Sequence, residues 1–374
     1  QMTFTGTVHI ALDVKSATKT IELNAADLTF KKVTLDGKPA PKPVFDTTEE
    51  TATFTFPAAV KPGKHLLAID YDGKINPHPS GLFALDYTDK TGAKKRALFT
   101  QFENSDARRF MPSWDEPNRK AVFALTAEVP FGDLPISNMP IATTEPLKSG
   151  LKRVHFMPSP KMSSYLLFFG TGDFERVSRK VDGVDVGVVF KRGDGDKAGY
   201  ALDEASKFLP YYEDYFGQKF PLPKLDMIAG PGTSQTFGAM ENWGAIFYFE
   251  RALMLDPKTG SEADKRNISV DVAHEMAHQW FGDLVTMDWW EDLWLNEGFA
   301  SWMENKANDH FHPEWRMWMA SIDNREAAMR EDARAGTHPI ITPIHDVLQA
   351  DQAFDNITYQ KGQAVIRMLE SYVG

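Results

Sequence analysis

Residues 271–285 read DVAHEMAHQWFGDLV and place His274 and His278 four positions apart, with Glu275 beside the first histidine. On an α-helix, side chains four positions apart lie on one face, one turn above each other. Both imidazoles can therefore reach one metal ion. Glu275 lies about 100° further round the helix and can face the ion's open position. This H-E-x-x-H spacing predicts a zinc site in which the glutamate takes a proton from a water molecule.

A catalytic zinc needs a third protein ligand, and Glu297 in WLNEGFASW (294–302) is the candidate. Gly282 ends the first predicted helix and a second helix follows, so Glu297 can return to the histidines. Two histidines and one glutamate are the ligand set of several zinc peptidases. Glu304 shares a helix face with Glu297 and is either a group that holds a ligand in place or an exposed glutamate. The alternative of two unrelated histidines on a surface helix conflicts with the apolar residues around them.

The second half of the chain has mainly helical spacing. YALDEASKFLPYYEDYFG (200–217) predicts a helix that ends at its glycine, and KLDMIAGPG (224–232) and GAIFYFERALML (244–255) each begin as a strand. Four more predicted helices cover 261–281, 291–309, 312–331 and 357–373.

The first half alternates apolar and polar residues at the period of β-strands. Predicted strands cover 4–14, 20–30, 51–56, 65–71 and 121–129, and the last ones lie within 163–177. Such short strands favour an antiparallel sandwich or saddle. The sequence therefore predicts an α+β fold with a β domain at 1–190 and an α-rich domain at 191–374.

Composition excludes several classes of protein. The net charge of −11 over 374 residues argues against a nucleic-acid-binding protein, and the acidic field suits a cation or a protonated amine. The chain has no cysteine, so a zinc site must use His, Asp or Glu. No apolar run is long enough for a membrane span. Apolar Ile366 and Met368 in the last predicted helix have nothing downstream to cover them, so we expect the chain to be part of a longer protein.

Five blocks resemble the zinc aminopeptidases of the aminopeptidase N and puromycin-sensitive type, within the gluzincin peptidases. They follow the family's order and span most of the chain. The blocks are FTQFENSDARRFMPSWDEP (99–117), GAMEN (238–242), HEMAHQWFG (274–282), WLNEGFASW (294–302) and ITYQKG (357–362). The resemblance implies a thermolysin-like catalytic domain, incomplete at its C-terminal end, and one Zn²⁺ per chain held by His274, His278 and Glu297.

The resemblance also implies how a peptide's free amino end is recognised. Glu241 would bind the α-ammonium group, joined by Glu103, because two carboxylates give charge-assisted hydrogen bonds to a cation. Gln101 would line the pocket for the first side chain. Endopeptidase activity, the alternative, conflicts with this pair of carboxylates.

The remaining implied roles concern the peptide and the transition state. The backbone of Gly238 and Ala239 would hydrogen-bond the peptide, with Met240 and Asn242 in the same substrate-binding block. Tyr359 would donate its hydroxyl to the tetrahedral oxyanion, a contact whose loss typically costs about 10²–10³ in rate.

We therefore predict a zinc aminopeptidase acting on peptides with a free N-terminus, with Glu275 as the general base. Two alternatives stay open: a related zinc hydrolase of the leukotriene-hydrolase type that opens an epoxide, and a non-catalytic binding module. The family often has a cysteine where this chain has Ser113, which touches no implied role. The family also continues beyond the tyrosine helix, so we expect a C-terminal region of the same protein to complete the active-site cavity.

Overall fold

Antiparallel strands dominate the first half of the chain because apolar side chains alternate with polar ones along it. The computed structural model describes residues 2–148, 150–234 and 237–373. Its first strands, in chain order, are β1 (Thr3–Val14), β2 (Thr18–Asn24), β3 (Thr29–Leu35), β4 (Lys38–Pro39), β5 (Val44–Asp46), β6 (Thr51–Val60), β7 (Gly63–Lys74), β8 (Gly81–Thr88), β9 (Lys94–Gln101), β10 (Ala121–Val122), β11 (Thr126–Pro130), β12 (Leu134–Ser137), β13 (Ile141–Pro146), β14 (Leu151–Phe156), β15 (Lys161–Met162) and β16 (Phe169–Gly172).

These strands form small sheets whose pairs are antiparallel. Their orders are β1-β7-β3-β4, β2-β6-β5, β12-β16-β9-β8, β11-β14-β13 and β10-β15. The sheet of β9 matters for function because that strand ends at Gln101 and leads directly to Glu103. The α+β class, with an antiparallel β region first and a helical region after it, is confirmed.

A further sheet joins the two halves of the chain. Its strands are β17 (Phe174–Val181), β18 (Val184–Lys191), β19 (Lys224–Gly230), β20 (Ala239–Met240) and β21 (Ala245–Phe249), in the order β17-β18-β19-β21-β20. β18 and β19 pair in parallel, as do β19 and β21. Every residue of β19 and β21 is buried, as expected for strands covered on both faces. The predicted boundary between 190 and 191 falls inside β18, so the position of the domain boundary stays a prediction.

Helices form most of the second half. They are α1 (Gly199–Phe216), α2 (Glu262–His278), α3 (Leu293–Phe311), α4 (Met317–Ala320), α5 (Ile322–Asp332) and α6 (Gly362–Val373), with a π-helical turn at Ile357–Lys361. Short 3₁₀ helices lie at Ala107–Arg109, Ser164–Leu166, Gly195–Lys197, Glu250–Ala252, Trp290–Asp292, Pro313–Trp315 and Val347–Ala353. Within the described ranges, no helix is both long and apolar enough to cross a membrane.

Three predicted elements differ from the structure. The predicted helix at 312–331 is broken, because Arg316 has a left-handed backbone (φ 50°) between a 3₁₀ turn and α4. The predicted strand at 20–30 is two strands, separated by a turn in which Asp27 has φ 56°. The predicted strand at 121–129 is also two strands, β10 and β11, which belong to different sheets.

The β region and the helical region share one continuous apolar core. Polar contacts also join them: the Tyr165 hydroxyl donates to the carbonyl oxygen of Gly282 at 3.2 Å, and Asn138 donates to that of Trp243 at 3.0 Å. This junction fixes residues of the β region, Glu103 among them, beside the helices that carry the histidines.

Candidate active site

The two histidines lie in the last two turns of α2, on the face that looks towards α3. A capping box starts this helix: the Ser261 hydroxyl accepts from the backbone N–H of Asp264, whose carboxylate accepts from the N–H of Ser261. At the other end of the helix, the Nε2 atoms of His274 and His278 lie 3.1 Å apart. The helical repeat therefore aims both ring nitrogens at one point, as the spacing predicts.

Glu297, on the second turn of α3, completes a three-atom cluster. Its Oε2 lies 3.3 Å from Nε2 of His274 and 3.5 Å from Nε2 of His278. A tetrahedral ion with bonds of about 2.0–2.1 Å has its ligand atoms about 3.3–3.4 Å apart. The three side chains therefore fit a metal ion without rearrangement.

Neighbouring side chains hold the two imidazoles in the orientation that a metal ligand needs. Nδ1 of His274 donates to Oε2 of Glu304 at 2.6 Å, which places Glu304 behind the cluster rather than on the open surface. Nδ1 of His278 donates to Oδ1 of Asn296 at 2.8 Å. With Nδ1 protonated, the lone pair of each neutral imidazole is on Nε2, towards the shared point.

Gly282 makes room for the amide that holds His278. A Cβ atom at this position would lie 2.5 Å from Oδ1 of Asn296 and 3.3 Å from Nδ1 of His278. Its φ of +137° is also one that other residues rarely adopt. Glycine is therefore required here by both space and backbone conformation.

The cluster strongly attracts positive charge. Burial raises the pKa of Glu297, but the charge of His278 and hydrogen bonds from both histidines outweigh this and lower it to about 2. Burial lowers the pKa of His278, but the carboxylates of Glu241 and Glu297 outweigh this and raise it to about 9. A bound cation would supply the same positive charge, and its binding would release protons from the imidazoles.

Glu275 has the environment of a general base. Its side chain is buried, and its Oε2 has no hydrogen-bond partner among the described residues. Burial raises its pKa to about 8, although the two histidines oppose that shift. A buried glutamate with a free oxygen beside the histidines can accept a proton from water once a nearby cation opposes the effect of burial on its pKa.

An acidic pocket adjoins the cluster and shares Glu297 with it. Carboxylate oxygens of Glu103, Glu241 and Glu297 lie within 4.8 Å of one another. Burial, and then the negative charge of Glu241, raise the pKa of Glu103 well above its ordinary value. Oε1 of Glu103 and Oε1 of Gln101 have no hydrogen-bond partner in the described part of the chain. The pocket therefore suits a compact cation with several N–H donors.

The GAMEN block is held as an edge strand beside this pocket. Ala239 and Met240 pair with Tyr248 and Phe247 of β21, and the backbone oxygen of Gly238 accepts from the N–H of Phe249 at 3.0 Å. Both Met240 and Asn242 are buried, with side chains 1% and 0% exposed, so their assignment to substrate binding stays a prediction.

Tyr359 lies in the π-helical turn and faces the cluster. Its ring stacks on that of His274, with centroids 6.4 Å apart and planes at 17°. Burial raises the pKa of its hydroxyl well above the ordinary value. The phenol therefore keeps its proton at physiological pH and can donate a hydrogen bond near the metal ligands.

Comparison with known proteins identifies the family of the chain. The family model for the peptidase family M1 domain matches residues 200–374, and that for the peptidase M1 N-terminal domain matches residues 1–166. The chain belongs to peptidase family M1. The resemblance noted in the sequence is confirmed, and it covers both halves of the chain.

Named relatives of this M1 chain are aminopeptidases. Aminopeptidase M1-C of Oryza sativa subsp. japonica is 41% identical over 375 residues, which is 99% of this chain and 42% of the relative. Aminopeptidase N of Acetobacter pasteurianus is 46% identical over 299 residues, or 80% of this chain and 84% of the relative. The puromycin-sensitive aminopeptidase of Caenorhabditis elegans is 38% identical over 381 residues, and the chain spans 40% of its length. The chain thus spans about two fifths of the length of most of these relatives.

The M1 site contains two polar residues that the sequence analysis did not single out. Asn296 holds His278 and also donates from Nδ2 to Oε1 of Glu241, at 3.3 Å. Asp283 is fully buried, and burial followed by the charge of Glu241 raises its pKa well above the ordinary value. The position of Asn296 next to Glu297 was the available signal. For Asp283, only its place in the fold reveals the link to Glu241.

Proposed function

We propose that this M1 chain forms the active site of a zinc-dependent aminopeptidase. The observation that carries the proposal is the double membership of Glu297. It belongs to a cluster of two imidazoles and a carboxylate, and also to a pocket of three carboxylates. The first group has the donor set of a catalytic zinc, and the second suits a substrate ammonium group. Metal binding and recognition of the ammonium group would therefore share one side chain, that of Glu297.

His274, His278 and Glu297 would hold one zinc ion per chain. Two nitrogens and one oxygen at these separations match zinc's preferred ligands and geometry. When bound, the ion supplies a Lewis acid that acidifies a water molecule and polarises the scissile carbonyl.

The protein's own residues would then move the protons. Glu275 takes the proton from the attacking water and returns it to the leaving amine, for which its free Oε2 and raised pKa are suited. The Tyr359 hydroxyl donates a hydrogen bond to the oxygen that becomes negative in the tetrahedral intermediate. Its neutral phenol and its place over the His274 ring support this role.

Glu103 and Glu241 would select substrates with a free amino terminus. A peptide whose ammonium group lies between these carboxylates would have its first peptide bond near the metal, because Glu297 belongs to both groups. Gln101 ends β9, two residues before Glu103, and its buried side-chain oxygen has no hydrogen-bond partner among the described residues; it would contact the first side chain.

Additional protein would cover the exposed face of α6. The outer face of α6 exposes apolar side chains, including Met368 at 64% and Tyr372 at 88% of their full areas. We propose that a C-terminal region of the same protein packs on this face and closes the cavity.

The experiment that tests the function compares free and N-acetylated aminoacyl chromogenic amides, before and after chelation, with zinc content measured in parallel. We expect about one zinc per chain. Turnover should stop on chelation and return with zinc. The N-acetylated amides should react at least about 100-fold more slowly, since they lack the charge that the carboxylates bind. Equal rates on the two substrate types, or turnover that resists chelation, would contradict the proposal.

A further inference from the structure

The π-helical turn that carries Tyr359 and the first residue of α6, Gly362, pack against Gly298 of α3. Gly298 directly follows Glu297, and Gly362 lies three positions after Tyr359. A Cβ atom on Gly298 would lie 2.9 Å from Cα and from the carbonyl carbon of Gly362, and 3.0 Å from the carbonyl oxygen of Thr358. In the other direction, a Cβ on Gly362 would lie 3.2 Å from Cα of Gly298 and 3.4 Å from the carbonyl oxygen of Trp294.

The atoms that lie within 3.4 Å in this contact all belong to the backbone. A side-chain rotation therefore cannot relieve a clash, and an added methyl group must separate the two elements. The two substitutions should differ in their effect. A methyl group on Gly362 requires its neighbours to move by a few tenths of an ångström, and one on Gly298 requires a larger movement.

Backbone conformation does not explain these glycines. Gly362 has φ −53° and ψ −53°, which any residue adopts in a helix, and Gly298 lies inside α3. Glycine is a poor helix residue because of its conformational freedom. The close approach of the two backbones is the feature that requires it.

The contact joins the two sides of the reacting centre. Glu297, beside Gly298, is part of the metal cluster, whereas Tyr359 is held in the turn by the bond from its N–H to the carbonyl oxygen of Asp355 at 3.0 Å. Any increase in the separation of α3 and the turn therefore moves the phenol relative to the cluster. A π-helical turn is itself an uncommon conformation that often occurs at functional sites.

We propose that Gly298 and Gly362 are positioning residues, whose contact sets the distance between the Tyr359 hydroxyl and the metal ligands. The inference rests on the proposed function, in which that hydroxyl stabilises the oxyanion. The two glycines touch no reacting group themselves and act through Tyr359.

The test uses Gly362→Ala in the zinc-loaded protein, with Gly199→Ala as the matched control. Gly199 begins α1, and a Cβ there would meet no atom of the described residues within 4 Å. We expect the kcat of Gly362→Ala to fall about 10-fold with KM within about twofold, since misplacement by 1 Å costs up to about 100-fold. Zinc content should not change, and the control should match the parent.

A double-mutant cycle separates positioning from general damage. If the contact acts through the phenol, Gly362→Ala should cost less than about twofold in a Tyr359→Phe background, because the donor is already gone. A loss of the same size in both backgrounds would overturn the proposal. Gly298→Ala, with its closer contacts, should lower kcat by up to about 100-fold, and a smaller loss than in Gly362→Ala would also count against it.

Amide exchange over residues 357–361 gives a readout that does not need turnover. Exchange there should be faster in Gly362→Ala than in the parent and unchanged in Gly199→Ala, since only the first substitution separates the turn from α3. Unchanged exchange in Gly362→Ala would overturn the positioning role. A parent protein that binds zinc but shows no aminopeptidase turnover would instead refute the proposed function. The exchange measurement would still decide whether the contact between Gly298 and Gly362 holds the turn at residues 357–361 in place.

Discussion

Asn296 links the cluster of proposed metal ligands to the acidic pocket through its single amide group. Its oxygen accepts from His278, and its nitrogen donates to Glu241. For Asn296→Ala we predict a zinc affinity about 10–100-fold lower, as found for groups that orient metal ligands. KM for free-amine substrates should rise as well, because Glu241 loses a donor.

Zinc titration and steady-state kinetics of the Asn296 variant check this prediction. Asn305→Ala is the control, because Asn305 lies on the same helix and its amide donates to the carbonyl oxygen of Ser301 instead. An Asn296 variant with the zinc affinity of the Asn305 variant would show that the amide does not support the cluster.

A substitution of Glu275 distinguishes a loss of catalysis from a loss of zinc binding. Glu275→Gln keeps the size of the side chain but cannot accept the proton, so we predict a loss of about 10²–10⁴ in kcat with zinc content unchanged. Glu262→Gln, on the exposed first turn of the same helix, should have the parent's activity. An active Glu275→Gln enzyme would refute the general-base role.

Among the elements, α1, α2 and α3 meet at a buried carboxylate. Glu204 of α1 accepts from the Ser269 hydroxyl of α2 at 2.8 Å and from His312, which follows α3, at 2.8 Å. Burial alone would raise the pKa of Glu204, but hydrogen bonds from Lys207, His312 and Ser269 lower it overall. The ionised form therefore stabilises the fold above the unfolded-state pKa, and this contribution is lost as the pH falls through the lower, folded-state pKa.

We predict that Glu204→Gln lowers the free energy of unfolding by about 1–3 kcal/mol at pH 7, the usual effect of losing hydrogen bonds to a charged group. The difference from the parent should shrink as the pH falls below about 4, where the parent's carboxylate also takes up a proton. Urea unfolding at several pH values measures this. Asp203→Asn, at a neighbouring exposed position of α1, should change little. A difference that does not depend on pH would contradict the assignment.

Local signals in the sequence predict the elements that carry the site. A serine cap begins α2, the left-handed Gly217 ends α1, and the strands of the first half alternate regularly. Two of the three errors occur at Arg316 and Asp27, whose left-handed backbones have no glycine to reveal them. Tertiary packing decides such positions, and one sequence does not encode it locally.

The site follows the same pattern. Spacing along one helix predicts that His274 and His278 point together, and the family blocks predict that Glu297, Glu103 and Glu241 join them. Asn296 and the contact between Gly298 and Gly362 were missed, because both depend on how closely two helices approach. The catalytic and binding roles themselves stay predictions until variants are measured.

At the scale of the whole molecule, a metal ion held by His274, His278 and Glu297 would cross-link α2 and α3. An ion that binds only the folded state should raise the free energy of unfolding by about 2.7 kcal/mol when its free concentration is one hundred times Kd. We therefore predict that chelation lowers the midpoint of thermal unfolding and that added zinc restores it.

Thermal unfolding with buffered zinc measures this effect. His274→Ala should abolish the zinc-dependent shift, whereas His310→Ala should keep it, since His310 stacks on Tyr211 at 4.9 Å, away from the cluster. A zinc-dependent shift of equal size in both variants would place the stabilising ion elsewhere.

Glu103 comes from the β region, whereas the cluster comes from helices encoded more than 150 codons later. Under the proposed function, recognition of the chain end thus takes one carboxylate from each half of the chain, Glu103 from the β region and Glu241 from the helical region, whereas the reaction chemistry uses the helical region alone. Mutation could loosen the junction near Glu103 and broaden the range of accepted substrates while the hydrolytic apparatus stays intact.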